Sequence, residues 1–225
     1  MNPVRRLADV IEFPLGTAGV VDDLGRDRDV VERALVLGRL RWQVSVGGLE
    51  HLPKRSGALI VVNSRRFALS PILSALAIGE ATGRPVRFVG RPDVAPLGPL
   101  LQRLGGLLPL EPDIRGALRA GGLVVLGAAP SATNAACGVV DHRLVGAAVA
   151  TKSWVVPAAA VSFPTRRAAR VELGQADRSA RTRRGPLAEL ELADRIQDRV
   201  GGLLEASGAR GTPLDWLPLD TAWGR

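Results

Sequence analysis

The sequence predicts an α/β fold: a mixed sheet flanked by helices. Three observations predict it. Short apolar, β-branched runs recur at Ala58–Val62, Val86–Val89 and Leu123–Leu126, the pattern of strands buried on both faces. Stretches with helical spacing lie between them. Glycines punctuate the change from one to the other at Gly83, Gly105-Gly106 and Gly121-Gly122. Strands alternating with helices call for a layered sheet rather than a bundle or a sandwich. The 225 residues are expected to form one main domain over 30–206, after an irregular arm at 1–29 and before a tail at 207–225.

The elements follow in order. Pro14, Gly16 and Gly19 break any helix in the arm. Asp29 is expected to cap a helix from Val30 to Arg41. Val30, Val31, Ala34, Leu35 and Leu37 form its apolar side, and Arg39 and Arg41 suit its C-terminal end. Val44 and Val46 alternate with polar neighbours, as in a half-buried strand. Ser70-Pro71 places Ser at an N-cap and Pro at the first helical position of a helix reaching Thr82. A short helix follows from Pro96 to Leu104, and Pro112 opens another that carries Ile114 and Leu118. Residues 127–140 are small and irregular, and a helix from Arg143 to Thr151 has Asp141 near its start. Trp154–Val161 and Ala169–Leu173 read as strands. Pro186 opens a long helix to Ala206, apolar at Leu187, Leu190, Ala193, Ile196, Val200 and Leu203. The tail carries Trp216 and Trp223, rings that suit either docking on the domain, taken as the default, or a membrane interface.

Composition narrows the function. The longest apolar run, Phe67 to Gly79, contains serines and a proline and is shorter than the roughly 20 residues of a membrane span. Asp9 and Glu12 interrupt any secretory signal, so the expected location is cytoplasmic, with peripheral contact at the inner membrane face as an extension. Cys137 is the single cysteine, which rules out an intrachain disulfide and a cysteine-based metal site; no metal or cofactor is expected. The net charge of +8 is almost all arginine, since Lys54 and Lys152 are the only lysines. It has two readings: a bias of composition, or a surface that meets anions. The densest basic run, Arg166 to Arg184, has no interleaved aromatic residue. A phosphate or membrane surface therefore fits it better than stacked bases.

Several segments together resemble the glycerolipid acyltransferase family, of which 1-acylglycerol-3-phosphate acyltransferase is one member. Trp42 to Pro53 resembles its lead-in strand and turn, and Gly57 to Asn63 its strand into the first catalytic block. Phe88 to Val94, Pro96 to Gly98 and Leu104 to Gly106 resemble the approach to the second block. Leu118 to Leu126 resembles the strand into the third, and Val155 to Val161 the apolar fourth block. The resemblance covers roughly residues 40–206 and rests on order and spacing. It implies an acyltransferase-like α/β fold and a place in phospholipid metabolism. The implied partners are acyl-CoA or acyl carrier protein, a lipid or anionic membrane surface, and a protein partner.

The chemistry departs from that pattern at four places. The family's first block holds a His general base, oriented by an Asp five residues on. Here Asn63 matches, but Ser64 stands at the His position and Leu69 at the Asp position. Glu111 stands where an arginine would grip the acceptor phosphate. Gly127-Ala128-Ala129-Pro130 stands where a carboxylate belongs. A positioned base contributes roughly 10²–10⁴ in rate, and serine cannot replace imidazole at neutral pH. The leading expectation is a catalytically impaired, acyltransferase-like pseudoenzyme that binds lipid, an acyl donor or a partner. The alternatives are an active enzyme with an altered acceptor or a site rebuilt on Ser64 and His142, and, last, a nucleic-acid-binding module. His51 is expected at the far end of its strand. Asn63, Arg65, Arg66 and Arg91 are the candidate ligand-binding residues, grouped beside a helix start that favours anions.

Overall fold

The computed structural model describes residues 21–41, 43–64, 69–131, 133, 135–163 and 168–209. The predicted α/β architecture is what it shows. The elements are α1 (Arg28–Arg41), β1 (Gln43–Gly47), β2 (Ala58–Val62), α2 (Ser70–Thr82), β3 (Val86–Val89), α3 (Leu97–Arg103), β4 (Gly106–Leu107), α4 (Glu111–Arg119), β5 (Leu123–Gly127), α5 (His142–Thr151), β6 (Trp154–Phe163), β7 (Ala168–Leu173) and α6 (Pro186–Ala206). Seven strands form one sheet in the order β1-β7-β6-β2-β5-β3-β4. β6 and β7 pair antiparallel and every other neighbouring pair is parallel, so the sheet is mixed.

β2 lies between β5 and β6, and all five of its residues are buried. That is why Ala58–Val62 is apolar at every position instead of alternating: both faces are covered. On one face Ile114 and Leu118 of α4, Val145 of α5 and Ile196 and Val200 of α6 pack on the sheet. On the other, Ala75 and Ile78 of α2 pack with Phe88 and Val125.

Three local expectations are corrected, and one short strand is added. The cap of α1 is Asp27, not Asp29, and the helix begins at Arg28. Asp27 Oδ1 accepts from the amides of Asp29 (2.9 Å) and Val30 (3.3 Å), the first orphan donors of the helix. The N-cap of α2 is Leu69, so Ser70 is already helical and supplies no cap. The buried face of α6 is Leu192, Ala193, Ile196, Val200 and Leu204, while Leu187 and Leu190 are exposed. The expected spacing holds at Ala193, Ile196 and Val200 and fails at Leu187 and Leu190, in the first turns of the helix. The two-residue β4 after Gly105 was too short to carry a strand pattern.

Residues 21–27 of the arm are strapped to β3 and to α3 by two carboxylates. Asp22 pairs with the buried Arg87 of β3, and Asp27 Oδ2 accepts from Arg103 Nη2 (2.6 Å) and Nε (3.1 Å). The Arg103 hydrogen bond holds the Asp27 carboxyl below its ordinary value of 3.8, against the opposing effect of burial. A depressed folded-state pKa means stability that is present above the unfolded value and lost as pH falls through the folded one. Asp27→Ala is therefore expected to cost about 2–4 kcal/mol at pH 7, from the lost cap and the stranded Arg103. The loss should shrink as pH falls below about 4, where the wild-type carboxyl also begins to protonate. Urea unfolding of both proteins from pH 7 down to pH 3 checks this.

Candidate functional site

In a largely parallel sheet, loops at the carboxyl ends of the strands are the usual place for a site. Here β2, β5 and β3 end together, leading into Asn63-Ser64, Ala128-Ala129 and Gly90-Arg91. Asn63 is buried, and both ends of its amide are used. Nδ2 donates to Ala160 O at 3.0 Å, and Oδ1 accepts from Ala160 N–H at 2.7 Å. A side chain thereby continues the β2–β6 ladder one step past the last backbone pair, Val62 with Ala158. Of the four candidate ligand-binding residues, Asn63 is thus committed to the fold.

Ser64 is buried beside β5. Its carbonyl accepts from Ser131 N–H at 3.0 Å, while Ala128 N–H donates to Val62 O at 2.8 Å. A Cβ on Gly127 would lie 2.7 Å from Pro71 Cγ and 3.6 Å from Ser64 Cβ. The start of α2 therefore packs directly onto the end of β5, and only glycine allows that approach. The irregular stretch after β5 is closed by Ala129 N–H donating to Val139 O at 2.8 Å. Gln197 of α6 pins it through the Val140 amide at 3.2 Å.

The remaining candidates are dispersed. Leu69 is 51% exposed, with no polar group to orient a base. Glu111 is the first residue of α4 and pairs with Arg115 one turn on, where its charge also suits the helix dipole. His142 is the first residue of α5, behind the N-cap Asp141, whose carboxylate accepts from Arg143 N–H at 2.9 Å. Arg91 follows β3 with its side chain mostly buried, Nη1 being 3.8 Å from Asp93. Arg65 and Arg66 lie outside the described residues. His51 sits in the turn between β1 and β2, and its Nδ1–H donates to Leu173 O at 2.9 Å, away from the carboxyl end of β2.

Among the described residues no group of three or more His, Cys, Asp or Glu side chains is placed to hold a metal ion. Cys137 lies in the loop after β5. Burial pushes its thiol up to about 11 from 9.0, and its Sγ–H donates to Gly138 O at 3.3 Å. Its reaction with a maleimide at pH 8 is expected to be roughly 10–100-fold slower in the folded protein than in urea, the scarcer thiolate being only partly offset by its greater nucleophilicity. Stopped-flow labelling in both states checks this.

Sequence reasoning missed two features. One is an apolar groove of about 690 Å³ between α1, α2 and the β1–β7 edge, lined by Leu35, Val44, Leu73, Leu76 and Ala77. The Arg39–Glu80 ion pair links α1 to α2 at its wall. The excess of alanine and leucine in α2 was its only trace in sequence. The other is a polar cavity at the opposite end of the sheet.

No family model and no curated protein sequence matches the chain. Among solved structures the chain is similar to the 1-acyl-sn-glycerophosphate (LPA) acyltransferase PlsC from Thermotoga maritima, with a TM-score of 0.62 over 82% of this chain and 80% of that one, at 15% identity. The fold is therefore that of the acyltransferase, a mixed seven-stranded sheet flanked by helices. No helix among the described residues is long and apolar enough to cross a membrane.

Proposed function

We propose that this chain is an acyltransferase-fold protein that holds a lipid or acyl donor without transferring the acyl group. The observation that carries the reading is the state of the strand-end position. Asn63 spends both amide atoms on Ala160, Ser64 follows where the resemblance expects imidazole, and Leu69 brings no carboxylate. General-base catalysis needs an acceptor of suitable pKa within hydrogen-bond reach of the attacking hydroxyl, and a serine hydroxyl at neutral pH is not one. The groove beside α2 supports the binding half of the reading, because its size and apolar walls match the usual lipid or small-molecule site. Partners consistent with it are acyl-CoA or acyl carrier protein, an anionic membrane, or an active enzyme that this chain assists.

The test is an acyl-transfer assay with acyl-CoA and lysophosphatidate or glycerol 3-phosphate, run beside uptake of a fluorescent fatty acid. No transfer above the protein-free rate is expected, together with saturable uptake that Leu76→Arg abolishes. Turnover that is lost on Ser64→Ala or His142→Ala would overturn the proposal and favour a rebuilt active site.

A further inference from the structure

The amino ends of β2 and β6 are the end of the sheet remote from Asn63: Trp154, which opens β6, pairs with Ala58, which opens β2. A cavity of about 650 Å³ lies there, lined among others by Glu50, His51, Trp154, Asp177, Arg178 and Arg199. Two guanidinium groups stand over the Trp154 ring, Arg178 at 4.7 Å and Arg181 at 5.3 Å from its centroid. The sequence run Arg166 to Arg184 has no aromatic of its own. The fold supplies one from a different strand.

The charges around this ring do not cancel locally. Asp177 is buried and its oxygens are already engaged: Oδ1 accepts from Ser179 N–H at 2.7 Å and Oδ2 from Arg195 Nε at 2.9 Å. Arg199 reaches the same Oδ2 only at 3.4 Å, as a second cation on one carboxylate. Arg178 and Arg181 are exposed and are in no ion pair with any other described residue. Glu50 is the remaining acid of the cavity. The ring quadrupole attracts each guanidinium but supplies no counter-charge, which a bound anion would. Arginine forks match the oxygens of a phosphate. The guanidinium groups also occupy the stacking distance that a nucleobase would need.

The geometry points to a second ligand site at this cavity, for a phosphomonoester held by Arg178 over Trp154, with Arg199 in the cavity wall and Arg181 beside the same ring. It is independent of the lipid groove and of any chemistry at Ser64. The phosphate has two sources, a soluble phosphate ester or the headgroup of a phosphatidate lipid.

The experiment is isothermal titration of the full chain at low salt with inorganic phosphate and with glycerol 3-phosphate, beside co-sedimentation with phosphatidylcholine vesicles with and without phosphatidate. Saturable binding is expected for at least one phosphomonoester source. The R178A/R181A double variant should weaken it roughly 10–100-fold, as loss of charge-assisted hydrogen bonds does, with circular dichroism and fatty-acid uptake unchanged. R178K, which keeps charge but loses the planar fork, should retain part of the affinity. Binding to phosphatidate vesicles alone would assign the headgroup, and binding to free ester the soluble source. No saturable binding to either, binding indifferent to the double variant, or tighter binding of a single-stranded oligonucleotide than of any phosphomonoester would overturn the proposal.

Discussion

Asn63→Ala is expected to destabilise the protein by about 3 kcal/mol, or roughly 6–12 °C in Tm for a chain of this size. The reason is local. The amide replaces a strand residue that β2 lacks, satisfying the N–H and C=O of Ala160 at 2.7 and 3.0 Å. Truncation removes both partners at once, and each buried backbone group left unpaired costs about 1–3 kcal/mol. Asn63→Asp should be no milder, because a carboxylate keeps the acceptor for Ala160 N–H but turns a second oxygen toward Ala160 O. Urea midpoints of the three proteins check this. If Asn63 served only to touch a ligand, both substitutions would stay within about 0.5 kcal/mol of wild type, as surface changes do. The outcome therefore bears on function as well as stability: an asparagine that closes the sheet is held rigidly, and so is the Ser64 that follows it.

Asp177→Ala is expected to cost about 3 kcal/mol, toward the low end of the penalty for breaking a buried charge pair, because Arg195 is itself a third exposed. Burial pushes this carboxyl up, but hydrogen bonds from Ser179 and Arg195 outweigh it and hold the group below 3.8. Its stabilising effect is present above the unfolded pKa and disappears as pH falls through the folded one. Asp177 also ties its own backbone to Val155, at 2.7 and 3.2 Å, so one residue links β6, the turn at Ser179–Arg181 and α6. Asp177→Asn keeps one acceptor oxygen, which serves Ser179 N–H or Arg195 but not both, and should lose only part of that amount. Equal losses in the Ala and Asn variants at pH 7 would mean that the charge and the second acceptor oxygen, and not the hydrogen bond that Asn retains, carry the effect.

The fold was largely legible in the sequence because its signals are local. Central strands such as Leu123–Leu126 declare themselves by being apolar throughout, and helix ends by Gly83 and Gly121. The order of the elements resembles the acyltransferases, and the likeness to PlsC at a TM-score of 0.62 agrees with it at the level of fold. In the sequence the candidate site was legible as Asn63 with its neighbouring arginines, and as departures at Ser64, Leu69 and Glu111 from the pattern the resemblance implies. Those substitutions are matters of residue identity. What the replacements do instead is a matter of distance, and sequence spacing does not report it. Asn63 and Ala160 are 97 residues apart.

The sequence by itself determined most of the strands and helices, the single cysteine and the arginine-rich charge. These follow from periodicity and composition, which act over a few residues at a time. Only the tertiary structure decided that Asp27 rather than Asp29 caps α1, that Asn63 serves the sheet, that α1 and α2 leave an apolar groove, and that Trp154 stands under Arg178 and Arg181. Each of these depends on pairing between segments distant in the chain. Such pairing is set by the register and order of the seven strands, and no local pattern contains it.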